Sequence, residues 1–158
     1  MATENEPQTA ISQIVFNNLK EMLKAKNAAH ESIFKLHWKK MWPFNLLWPQ
    51  VDYLRIIRLM QEIEKNTVSQ KAFIRKNISA AGEKEIDFLK AVPAYLDSLA
   101  DSCRKLAVVA QFKQDKLEKK QDRSVFKFNQ ILKDYEKSQT DLVNRGALLQ
   151  LSWIDITQ

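Results

Sequence analysis

His30 and His37 are the only histidines in the 158 residues, and they stand seven positions apart. On a helix that spacing puts both rings on one face but roughly 10 Å apart along the axis. Two ligands on one helix reach the same metal when they stand three or four residues apart. The Glu-x-x-His pair of carboxylate-bridged metal bundles is missing from the sequence. Both histidines therefore read as edge positions of an apolar stripe. Asp97 and Asp101 are four apart, and paired carboxylates can divide acid and base roles when their surroundings separate their pKa values. Here Arg104 and Lys105 stand beside them and both acids fall off the apolar pattern, so the pair reads as a solvated face. Cys103 is the single cysteine and falls on the pattern itself. A buried thiol without a base beside it is inert packing.

Other chemistry is excluded by composition. A phosphate-cradling loop needs several glycines close together, because backbone N–H groups must approach the ligand. This chain has two, Gly82 and Gly146. One cysteine cannot build a thiolate zinc site or an internal disulfide. The sequence thus implies no enzyme, no metal, no cofactor and no small-molecule substrate.

The same scarcity identifies the fold. Two Gly and four Pro compare with roughly eleven and eight in an average chain of this length. Sheets use those residues in hairpins and bulges, so a chain nearly without them is built from few, long elements. Ala, Leu, Lys, Glu and Gln are plentiful and favour helix. The expectation is an all-α single domain over residues 1–158, an antiparallel up-down bundle of three to four long amphipathic helices. Residues 1–6 read as disordered and 148–158 as a docking tail.

Pro7 and Met41 bound a first helix with the stripe Ile11, Val15, Leu19, Met22, Ala25, Ala29, Ile33 and Leu36. A second helix starts at Pro49, where a missing N–H costs nothing. Its stripe is Tyr53, Ile56, Met60, Ile63, Thr67, Gln70, Ile74 and Ile78, with weak helix formers at 66–69 predicting an irregularity. Gly82 is expected to close it in the left-handed conformation. In the third helix, Pro93 predicts a kink or restart. Across it a coiled-coil-like heptad seam runs through Val92, Leu96, Leu99, Cys103, Leu106, Ala110 and Leu117. A turn near 121–124 leads to a fourth stripe of Val125, Phe128, Leu132, Tyr135, Leu142 and Leu149, weakened by Gly146 and followed by an extended segment from Leu148.

Net charge is +6 and the pI about 9.4. Two segments, 20–40 and 113–127, are rich in lysine, but acids are interleaved in both, which reads as a solvated bundle face and not as a nucleic-acid surface. No apolar run reaches the ~20 residues that span a bilayer. The acidic, polar start resembles neither a secretory signal nor a transit peptide. With the lone cysteine, this places the chain inside a cell, in the cytoplasm, soluble or peripheral.

One segment departs from a bland bundle. Between the first two helices stand Trp38, Met41, Trp42, Phe44, Leu46, Leu47 and Trp48, where a connection is ordinarily polar. The C-terminal stretch adds Leu151, Trp153, Ile154 and Ile156. Both sets can cap the bundle's own core or anchor a partner, since tryptophan is enriched at interface hot spots. The leading expectation is a non-enzymatic interaction module, an adaptor or complex subunit, that binds a protein or itself through these two sets. Two alternatives stay open. One is a peripheral membrane protein whose 35–48 segment sets Lys35, Lys39 and Lys40 against anionic headgroups. The other is a basic nucleic-acid-binding helical protein.

Overall fold

The computed structural model describes residues 10–35, 51–119 and 124–157. They form four long helices: α1 (Ile11–Phe34), α2 (Tyr53–Asn77), α3 (Glu83–Leu117) and α4 (Val125–Thr157). A single 3₁₀ turn, Ile78–Ala80, follows α2. The helices alternate in direction. Lys71 of α2 meets Asp97 of α3 while Glu64 meets Arg104, so α2 and α3 run antiparallel. Ser12 bonds Glu85, so α1 and α3 start at the same end. α3 is the central helix and packs against the other three. The expected all-α up-down bundle is present.

The apolar period explains which faces meet. Val15, Leu19, Met22, Ala29 and Ile33 of α1 are buried, as are Ile56, Met60, Ile63, Thr67, Gln70 and Ile74 of α2. On α3 the seam from Val92 through Leu96, Leu99, Cys103 and Leu106 to Ala110 is buried throughout. Each large aliphatic side chain so buried contributes roughly 1.5–3 kcal/mol. The seam ends before the sequence pattern does: Leu117, the last residue of α3, is exposed, and so is Val125, the first of α4.

Several boundaries differ from the sequence expectation. α2 begins at Tyr53 rather than Pro49, because the Asp52 carboxylate accepts the Arg55 N–H at 2.9 Å and fixes the N-cap there. Residues 66–69 are regular helix, held by burial of Thr67 and Gln70. Gly82 is not left-handed. Its φ of −64° and ψ of 153° make it the extended N-cap of α3. Lys119 takes the left-handed conformation instead, with φ 57°, just past the end of α3. α3 passes through Pro93 without a restart. The segment from Leu148 is not extended either: α4 stays helical to Thr157, because Leu149, Trp153 and Ile156 keep the helical stripe against the core. Gly146 sits inside α4 where the Tyr95 ring closes in; a Cβ there would meet Cε2 at 3.3 Å.

Two helix starts share one carboxylate. Ala10, the N-cap of α1, offers no side-chain acceptor. Glu85 Oε1 supplies it, accepting from the Ser12 N–H at 2.9 Å and its hydroxyl at 2.5 Å, while Oε2 accepts the Gly82 N–H at 2.8 Å. A negative charge is thereby placed on the positive ends of α1 and α3 together. The Ser12 hydroxyl, more than any other group, holds the Glu85 carboxyl below its ordinary range.

Candidate functional site

The side chains that stand out chemically lie between α1 and α4. Lys26 is fully buried. The basic run 20–40 is therefore not a uniformly solvated face: Lys20 and Lys24 are exposed, but Lys26 enters the bundle. Its Nζ donates to Gln139 Oε1 and lies 5.4 Å from the centre of the Tyr135 ring. Gln139 Oε1 also accepts from the buried Ser102 hydroxyl of α3 at 3.0 Å. The partners of this ammonium among the described residues are thus neutral. Burial without a counter-charge pushes the amine down to about 8, against the weak opposing pull of Cys103.

The cluster continues toward the end of α1. His30 Nδ1 and the Tyr135 hydroxyl are 2.8 Å apart. Burial, then the nearby Lys26, holds His30 below its ordinary value. Phe34 stacks on Tyr135, with centroids 5.8 Å apart. Cys103 is fully buried, and desolvation raises its thiol to about 12. It is therefore a protonated packing group near neutral pH, not a nucleophile.

Below this cluster α1 and α4 part. Three shallow places elsewhere on the surface hold about 250, 100 and 260 Å³, but the α1–α4 groove reaches about 610 Å³. That is within the roughly 300–1,000 Å³ of ordinary ligand pockets. Lys26, Asn27 and Gln139 form its polar end. Leu19, Leu23, Leu142 and Leu149 form its apolar body, with Tyr95 beneath. At the far end Phe16 stacks on Trp153, with centroids 4.1 Å apart and planes 5° apart, and Trp153 leans on Phe88 at 5.2 Å. Its charged lining among the described residues is two lysines, Lys20 and Lys26, and no acid.

The structure separates the residues expected at the site. Trp153 and Ile156 pack on the bundle's own core, whereas Leu151 and Ile154 are exposed on α4. Leu148 and Val143 join them on that outer surface. Lys35 is exposed and 3.3 Å from Glu31. Trp38, Met41, Trp42, Phe44, Leu46, Leu47 and Trp48 lie outside the described residues, as do Lys39, Lys40 and His37. Asp97 and Asp101 do face solvent and bond lysines, at 2.6 Å to Lys71 and 2.9 Å to Lys105. The sequence reading missed Lys26, Ser102 and Gln139. A signal for Lys26 was present, since 19, 22, 26, 29 and 33 alternate three and four as a buried stripe must.

No protein-family model, curated protein or solved structure matches this chain.

Proposed function

We propose that this chain is a non-enzymatic interaction module whose contact face is the outer side of the last three turns of α4, docking on the apolar stripe of a partner protein's helix. One observation carries the reading. Val143, Leu148 and Leu151 are more than 60% exposed, and Ile154 stands beside them at 39%. α4 thus carries a second apolar face besides the one it buries, and a helix apolar on two faces is one that packs on two sides. From Val143 to Ile154 the row spans roughly 16 Å, about three helical turns, the length of an ordinary helix–helix contact.

Charge favours a protein over the alternatives. Asp155 falls within this face and Asp141 beside it, and both would repel an anionic membrane surface or a nucleic-acid backbone. The buried, protonated Cys103 and the solvated Asp97 and Asp101 offer no activated nucleophile or acid–base pair. The aromatic run 38–48 adds to the reading by composition alone.

The test is a photo-crosslinking residue placed at Leu151, with one at the exposed Lys133 of the same helix as control. The expected result is a single protein adduct from position 151, mapped to an apolar helical stripe. The purified partner should then bind Leu151→Glu at least ~10-fold more weakly. Equal adducts from both positions, or an adduct with lipid alone, would contradict the reading.

A further inference from the structure

We infer that the groove between α1 and α4 is a binding site for a single-chain carboxylate amphiphile, with the carboxylate on Lys26 and Gln139 and the hydrocarbon chain running toward Trp153. The inference goes beyond the docking reading: Leu148 and Leu151 of that face do not line the groove, and only Val143 and Ile154 are shared, along its α4 edge.

The polar groups that reach into the bundle stand at one end, while the exposed Lys20 and Gln150 line the rim toward Trp153. Lys26 and Gln139 close the groove at one end, Phe16 and Trp153 at the other, and Leu19, Leu23 and Leu142 lie between. From Phe16 to Asn27 the α1 wall is roughly 16 Å long, enough for a medium-length acyl chain laid along the helix. A neutral hydrocarbon would use the walls and leave the end unexplained. A phosphate-sized or smaller anion would use the end and leave the walls unexplained.

Charge selects the anion. An ammonium carries three N–H donors, and a buried cation without an anionic partner is strongly unfavourable. Lys26 is fully buried, yet only an amide oxygen and an aromatic face answer it among the described residues. A carboxylate supplies two acceptor oxygens and the missing charge. It also fits the second partner, because the Gln139 amide can turn its NH₂ toward the same carboxylate while Ser102 keeps a hydrogen bond to its oxygen. Among the described residues the groove lining holds no acid to compete for the ammonium or to repel the ligand.

Equilibrium dialysis with radiolabelled dodecanoate and dodecanol, each below its aggregation concentration at pH 7, tests the site. Dodecanoate should bind the full chain about tenfold or more tightly than dodecanol, as a charge-assisted hydrogen bond requires. Lys26→Met should erase that preference while dodecanol still binds. Ala147→Phe, which fills the groove from an exposed position, should weaken both ligands at least tenfold and keeps the test usable if the core variant fails to fold. Equal affinity for the two ligands, a preference that survives Lys26→Met, or no binding of either would overturn the inference. So would a chain that sediments as a dimer unmoved by dodecanoate, which would put a second copy over the groove. The Leu151→Glu variant should bind dodecanoate as the wild type does, so failure here and failure of the docking reading are told apart.

Discussion

The α2–α3 side of the bundle and the α1–α4 side are built on different terms. Between α2 and α3 the apolar stripes meet directly, and ion pairs line the margin, Glu64 with Arg104 at 2.7 Å and Lys71 with Asp97 at 2.6 Å. Charge stays in solvent there, and the buried polar side chains of α2, Thr67 and Gln70, are neutral. Between α1 and α4 the interior holds an ammonium, an amide, a serine and a His–Tyr pair, and the helices leave a groove of about 610 Å³. The first arrangement is what packing alone produces. The second gives up both packing and electrostatic stability, and such losses concentrate where a protein binds something.

Substitutions can break or sharpen that contrast. The largest effect belongs to the packed seam: Leu99→Ala, at a fully buried position, should lose roughly 2–5 kcal/mol in urea unfolding. The opposite sign is expected across the molecule. Lys26→Met keeps the volume and removes an uncompensated charge, while Ser102 still satisfies Gln139. It should raise stability by about 1–3 kcal/mol at pH 7. The pH dependence follows from linkage. An amine lowered from 10.5 to about 8 leaves the unfolded chain holding more protons above pH 8, so wild-type stability should rise with pH from about 8. Above 9 the raised Cys103 thiol, which ionises more readily in the unfolded chain, opposes the gain. The window to measure is therefore pH 8 to 9, and Lys26→Met should abolish the slope there.

Smaller effects test the margins. Glu85→Ala strips one acceptor from two helix starts and should lose about 1–2 kcal/mol. Because the folded Glu85 carboxyl lies below its ordinary range, that contribution is present above the unfolded value near 4.5 and fades as pH falls through the folded one. Acid unfolding of the variant should accordingly be less steep. The smallest effect is on the packed side's rim. Glu64→Gln leaves Arg104 more than half exposed and should change stability by no more than about 0.5 kcal/mol. A loss above 2 kcal/mol there would mean that the two sides are not built so differently.

The fold was legible because its signal is periodic and global. Stripes such as Ile56–Met60–Ile63–Thr67–Gln70–Ile74 state which face is buried whichever helix covers it. Helix ends were less legible, because capping is local chemistry. Asp52 outweighs Pro49 as a start, and Ala10 is capped by a residue 75 positions away, Glu85, which periodicity cannot reveal. The site was the least legible. Lys26 sits on the α1 stripe by spacing, yet lysine is ordinarily solvated, and the neighbouring Lys20 and Lys24 are. Only the separation of α1 from α4, and the arrival of Gln139 and Ser102 from two other helices, distinguish it.

The Lys26 amine is the most direct test of the whole account. Its ionisation can be followed by NMR of the chain carrying isotope-labelled lysine, assigned by the loss of one signal in Lys26→Met. The midpoint is expected at about 8, moving upward when dodecanoate is bound because the carboxylate stabilises the charged form. A midpoint at or above 10.5 in the free protein would mean that Lys26 is solvated or already paired, and the distinction drawn between the two sides of the bundle would fall.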